Sequence, residues 1–292
     1  MEDTTVPQPG TLKEMLSSTV LRRGSHTAVR YKEHGTWHQE SYAELQTRAR
    51  QVGEILVQHG IGPGQKVALF MENGHLWPEM YFGIVGIGAT AVPVDAKLKE
   101  SEVAHILRDS ESRLLFTSAR QYPVVRDVAD SMEGLRTIYI RDLQEVQPVL
   151  SKRAKYLDYD KAMTEVQERA AGERAAYQRV DPEPDSIASL IYTSGTTGRQ
   201  KGAMLTHANF LANVRSAQRA IDIYETDNFL LVLPLHHAFA FTTNLLIPLA
   251  CGSEISLVEN LRTVGENIRE VQPTVICAVP LLLEKMYNRI WN

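Results

Sequence analysis

Residues Asp185–His207 read DSIASLIYTSGTTGRQKGAMLTH. The first part, Ile187–Tyr192, is a short run of apolar character without strict alternation, the pattern of a strand buried on both faces. It gives way to a loop in which Gly195, Gly198 and Gly202 are interleaved with the hydroxyls of Thr193, Ser194, Thr196 and Thr197, with Lys201 behind them. Glycine permits positive φ and close approach of backbone N–H groups to an anion. The hydroxyls donate hydrogen bonds, and lysine adds a compact charge. In open α/β sheets ligands gather outside the carboxyl ends of strands. The stretch therefore reads as a polyphosphate cradle, an exposed, mobile loop over 193–202 at the end of a strand. It is not a Walker-type loop: two residues separate Gly198 from Lys201, and a glycine follows the lysine. The plain alternative is an ordinary turn rich in Gly, Ser and Thr.

Upstream, strand and helix signals alternate. Ser41 and Glu44 have capping-box spacing, and Leu45, Ala49, Val52 and Leu56 repeat at helical period until Gly60. IGPGQKVALFM (61–71) is a turn entering a buried strand. MYFGIVGIGATAVPV (80–94) is a helix of small residues that packs closely, followed by a short strand near Pro93. Glu100–Arg108 is helical, and RLLFT (113–117) and TIYI (137–140) are strands. This order predicts an α/β fold with parallel-rich sheets flanked by helices. Residues 141–179 are charged and weakly periodic, predicting a surface excursion, and VDPEPDS (180–186) marks a boundary. The expected division is a first α/β subdomain over 1–184 and a second over 185–292.

The 292 residues carry 31 Lys+Arg against 35 Asp+Glu, a net charge of −4, with 43% hydrophobic and 23% charged residues. That is an ordinary globular composition with no basic stripe for nucleic acid. The cysteines, Cys251 and Cys277, lie in apolar stretches and read as buried thiols in a reducing compartment, hence a cytoplasmic protein without a disulfide framework or zinc site. The N-terminus lacks the pattern of a signal peptide. Phe229–Gly252 has no charged residue, but Pro234, His236, His237, Asn244 and Pro248 divide it into a buried strand and a buried helix rather than a membrane span. Peripheral membrane association remains compatible with this reading.

The segment YTSGTTGRQKGAMLTHANF (192–210) resembles the phosphate-loop signature of the adenylate-forming superfamily, which comprises acyl-CoA synthetases, luciferases and nonribosomal adenylation domains. Gln200 departs from the usual proline before the lysine but leaves every donor in place. The resemblance extends to residues 41–98, to LVLPLHHAFAF (231–241) and to PTVICAVPLLLEKMYNRI (273–290), the last in a form typical of long-chain acyl-CoA synthetases. It is weakest between Arg120 and Val180.

What the resemblance implies is the N-terminal part of the large domain of an acyl-CoA synthetase. Such an enzyme activates a long-chain fatty acid with ATP through an acyl-adenylate and transfers it to CoA. It also implies that Thr193, Ser194, Gly195, Thr196, Thr197, Gly198 and Lys201 hold the β- and γ-phosphates, with Lys201 countering charge on the leaving pyrophosphate. His237, a catalytic and substrate-binding candidate, and Phe239 would lie beside the acyl and adenylate site. His236 has no assigned role, and adjacent histidines on a strand would diverge, making a poor metal site. The ligands for magnesium, adenine and ribose, and a mobile domain with a second lysine, fall in the family beyond the segment matched here. The chain alone is therefore expected to be inactive. Two alternatives stay open: a non-catalytic nucleotide-binding or interaction module, and an enzyme adenylating another carboxylic acid or serving an acyl-carrier protein. A serine hydrolase is disfavoured, because no G-x-S-x-G elbow occurs.

Overall fold

The computed structural model describes residues 8–149, 151–169, 176–193, 199–280, 283–284 and 287–288. It begins with α1 (Leu12–Arg23) and a hairpin of β1 (Thr27–Glu33) and β2 (Thr36–Ser41), turned by His34 and Gly35 at φ 49° and 78°. Positive φ at both turn residues suits the right-handed twist of the flanking strands. The hairpin was not expected, because β2 is largely polar and half exposed. The helix α2 (Tyr42–Gln58) starts at the anticipated box: the Glu44 amide donates to Ser41 Oγ at 3.2 Å, and the Ser41 amide donates to the Glu44 carboxylate at 2.8 Å.

Next come β3 (Lys66–Phe70), α3 (Leu76–Gly86), β4 (Thr90–Val94), α4 (Glu100–Asp109), β5 (Leu114–Ser118), α5 (Tyr122–Ala129) and β6 (Thr137–Arg141). The remainder runs through β7 (Lys155–Asp158), α6 (Tyr159–Arg169), α7 (Ala176–Arg179), β8 (Ile187–Thr193), β9 (Lys201–Thr206), α8 (His207–Ala220) and β10 (Asn228–Leu231). It continues with α9 (Ala238–Phe241), α10 (Ile247–Cys251), β11 (Glu254–Leu257), α11 (Val264–Val271) and β12 (Val275–Ile276).

One sheet has seven strands in the order β7-β6-β5-β3-β4-β8-β9, and the other has five in the order β12-β10-β11-β1-β2. Every pairing is parallel except β8 with β9 and β1 with β2. The parallel-rich α/β expectation is met. The division at residue 184 does not coincide with the division between sheets. β8 and β9 extend the sheet of β3–β7, whereas β1 and β2 join β10–β12. A proline-rich linker marks a local break in regular structure, but it carries no information about which distant strand the chain pairs with next.

The helix α3 packs against α1, α2, β3 and β4 and buries all of its residues, as expected of a helix that is apolar nearly all round, Glu79 being its single charged side chain. Its glycines permit the close approach. A Cβ on Gly83 would lie 2.5 Å from Val52 Cβ, and one on Gly86 would lie 2.2 Å from Tyr177. The surface excursion over 141–179 is corrected in part. β7 adds an edge strand, and α6 buries Tyr159, Met163 and Val166. These three, spaced by four and three residues, form a helical stripe among charges.

Phe229–Gly252 divides as its prolines predict, into β10, α9, a five-residue π-helical turn (Thr242–Leu246) and α10. Among the described residues no helix is long and apolar enough to cross a membrane. Cys251 and Cys277 are free and only partly buried, where full burial was expected. Cys251 ends α10, whose Ile247, Pro248 and Leu249 are buried, whereas Cys277 follows β12, a short strand that is itself not buried.

Candidate active site

At its carboxyl end β8 presents Thr193, directly opposite Lys201 of β9. Thr193, Lys201 and Gly202 thus stand in strands and not in a loop, while Thr193 and Lys201 are exposed as expected. Antiparallel hydrogen bonding begins earlier than a string of small residues suggests. Gly202 is extended rather than at positive φ, and it serves proximity instead. A Cβ there would lie 3.1 Å from Tyr192 Cζ. Five of the expected phosphate contacts, Ser194, Gly195, Thr196, Thr197 and Gly198, lie outside the described residues.

The hairpin is braced from α4. His105 Nε2 lies 2.9 Å from the Gln200 carbonyl oxygen, and Tyr192 donates to Asp109 Oδ2 at 2.7 Å. The His105 and Tyr192 rings meet edge to face, centroids 6.4 Å apart. Burial and the adjacent Asp109 carboxylate push the Tyr192 hydroxyl well above its ordinary range, so it remains a donor. The side-chain oxygen of Gln200 is buried and finds no partner among the described residues.

A second wall comes from the segment after β10. Asn73, three residues past β3, holds it with both halves of its amide. Its Nδ2 donates to the Leu233 carbonyl at 2.9 Å, and its Oδ1 accepts from the Leu235 amide at 3.0 Å. This places His236 Nε2 3.4 Å from Asp95 Oδ2, just beyond β4. Because Ala91 pairs with Ser189 in parallel, four residues further along both strands Asp95 comes level with Thr193. The carboxyl ends of β3, β4, β8 and β10 therefore converge, as ligand sites of open α/β sheets require.

His236 and His237 lie in a loop, not a strand, and their rings tilt together with centroids 4.0 Å apart. The alternation of a strand, which would separate them, does not operate there. Burial pushes His236 down to about 4 against the opposing pull of Asp95. The imidazole is neutral at neutral pH, and the contact with Asp95 is not an ion pair there. His237 is exposed and precedes α9, its carbonyl accepting from the Phe241 amide at 2.9 Å.

Phe239 is 59% exposed, whereas Phe241 is buried against Trp77, Tyr81 and Phe210. Of the apolar residues that follow Phe239, Phe241, Leu245, Leu246, Ile247 and Leu249 are core. The π-helical turn buries Asn244, whose Oδ1 has no partner among the described residues. π-bulges occur often at functional sites.

Thr193, Lys201, His237 and Phe239 thus fall at the carboxyl edges of the sheets. Sequence reading missed Asn73, Asp95 and His105. For Asn73 and Asp95 a signal existed, a polar residue just past a buried strand, but it does not say what the side chain reaches. Among the described residues no group of three or more His, Cys, Asp or Glu side chains is placed to hold a metal ion.

The crotonobetaine/carnitine–CoA ligase of Salmonella heidelberg (strain SL476) is 29% identical over 280 residues, which are 94% of this chain and 52% of that protein. The chain spans about half the length of the curated relatives it matches. Among solved structures, the N-terminal domain of FACL13 from Mycobacterium tuberculosis superimposes with a TM-score of 0.76 at 26% identity, covering 94% of this chain and 64% of that one. The anthranilate CoA ligase AuaEII, solved with anthranoyl-AMP, shares the fold with a TM-score of 0.79 at 23% identity, covering 94% and 51%. The family model described as AMP-binding enzyme matches residues 16–290. With this span covering nearly all of the sequence, the chain belongs to the AMP-binding enzyme family.

Proposed function

We propose that this chain carries the phosphate-binding and acyl-binding part of an ATP-dependent acid–thiol ligase that activates a long-chain fatty acid and passes it to CoA. In the first step a carboxylate oxygen bonds to the α-phosphorus of ATP, and the bond to the bridging oxygen of pyrophosphate breaks. In the second, the CoA sulfur bonds to the acyl carbon and AMP leaves with the bonding electron pair. An anion approaches an anion and a charged group departs, so catalysis rests on positioning and charge stabilisation.

Lys201 meets the charge gathering on pyrophosphate, together with Thr193 and the hydroxyls and amides of Ser194–Gly198. His237 and Phe239 border the acyl group, the exposed ring of Phe239 offering an apolar surface to its chain. The ligase names of the relatives support the reaction class. The observation that carries the assignment of the phosphate end is the pairing of Thr193 with Lys201 at the carboxyl end of β8. The free thiols fit the cytoplasm.

The test is calorimetric titration of the 292-residue chain with inorganic tripolyphosphate and with ATP, for wild type and Lys201→Ala. In parallel, the full-length protein is assayed for exchange of labelled pyrophosphate into ATP, with acids from acetate to palmitate. Lys201→Ala is expected to weaken phosphate binding and to slow exchange by about 10–1000-fold, the scale of one electrostatic donor. Unchanged binding and exchange in the variant would refute the role of Lys201. Exchange that prefers acetate to palmitate would refute the long-chain specificity.

A further inference from the structure

Beyond the pairing of β8 with β4, the hairpin carrying Lys201 is braced by side chains from one helix. A carbonyl oxygen only accepts, so the 2.9 Å contact with Gln200 requires His105 to carry its proton on Nε2 and to donate it. Four residues on, the same face of α4 offers Asp109 to the Tyr192 hydroxyl. The two contacts grip the hairpin on both limbs, at the residue before Thr193 and at the residue before Lys201. Between them the Tyr192 ring lies against Gly202, at a spacing that leaves little room for a side chain.

We propose that His105 is a positioning residue, whose donated hydrogen bond to Gln200 holds Lys201 in register opposite Thr193 and so pre-forms the cationic end of the phosphate site. The proposal rests on the reading of Lys201 as a phosphate contact. Gln200 is followed at once by Lys201, so a slip of the Gln200 carbonyl displaces the lysine directly. Proline at position 200 would restrict the backbone covalently. Here Gln200 leaves φ free, and the bond from α4 supplies the restraint.

The experiment compares wild type, His105→Leu and His105→Gln. Leucine keeps bulk without a donor, and glutamine restores an N–H near the position of Nε2. Hydrogen exchange of the segment 199–206 reports hairpin opening. Exchange of the distant strand 137–141 controls for global destabilisation, and titration with tripolyphosphate reports the site. His105→Leu is expected to speed exchange in 199–206 by about 3–10-fold, the worth of one net hydrogen bond. It should weaken tripolyphosphate binding by a similar factor, and His105→Gln should recover most of both.

Wild-type exchange in His105→Leu overturns the proposal. So does an effect that glutamine fails to restore, which would assign His105 to packing alone. Faster exchange in the variant without any change in tripolyphosphate affinity also overturns it. If wild type binds neither tripolyphosphate nor ATP, the phosphate reading of Lys201 fails, and with it the phosphate-site half of the proposal. The exchange data would still decide whether His105 braces the hairpin.

Discussion

Replacing Glu79 by glutamine removes a buried titration whose effect on stability has a definite sign. Glu79 is fully buried, accepts from the Tyr159 hydroxyl at 2.5 Å and lies 3.6 Å from Arg48, whose side chain is 45% exposed. The same guanidinium stands 3.3 Å from Glu40, also buried, so one half-exposed cation serves two carboxylates. Burial is the main cause that pushes Glu79 from its ordinary 4.5 up to about 7 and Glu40 up to about 8. The folded chain therefore holds protons that the unfolded chain releases. Their stabilisation is complete below about pH 4.5 and is lost as pH rises through about 7 and 8.

For Glu79 the interval is about 2.5 pH units, and at 1.36 kcal/mol per unit it is worth about 3 kcal/mol. The two carboxylates interact, so the protons belong to the pair and the contributions do not add. Three histidines, His207 buried and His75 and His236 partly buried, act in the opposite sense. Burial pushes His75 down to about 3 and His207 and His236 down to about 4. Their contribution is lost as pH falls below about 6.5, where the unfolded chain takes up protons. Above that pH only the carboxylates among these groups still titrate.

Urea unfolding, followed by circular dichroism at intervals from pH 4.5 to 8.5, should show wild type losing stability above pH 6.5. The stability of wild type minus that of Glu79→Gln should fall by about 3 kcal/mol across the range. A difference that is flat with pH, or that rises, would refute the reasoning.

Asn73→Leu leaves the Leu233 carbonyl and the Leu235 amide without their partner, and should cost about 2–4 kcal/mol in urea unfolding; a loss below about 0.5 kcal/mol would mean the loop keeps its place without the amide. Gly86→Ala drives a methyl into Tyr177, and should cost about 1–3 kcal/mol despite the better helix propensity of alanine. Combining it with Tyr177→Leu should recover part of that loss, and strictly additive destabilisation would show that the two residues do not clash. Incubated with ATP, CoA and acids from acetate to palmitate, the 292-residue chain should release no fatty acid-dependent AMP. Such release would show that a complete site lies within these residues.

Sequence by itself determined the class of fold and that a buried strand ends just before the glycine- and hydroxyl-rich stretch. Alternating strand and helix signals, the Ser41–Glu44 box and the prolines at 234 and 248 act through hydrogen bonds and sterics a few residues long, and they appear in the structure where the sequence puts them. Tertiary structure decided the pairing: Val29 lies beside Ile255 in one sheet, and β8 closes against β4 in the other. Strands buried on both faces carry no alternation that names a neighbour. It alone also decided that Lys201 stands in register with Thr193, that Asn73 clamps residues 233–235 and that His236 meets Asp95. These contacts join segments tens to hundreds of residues apart. They form only when the sheets have assembled and burial has repaid the entropy of closing those loops.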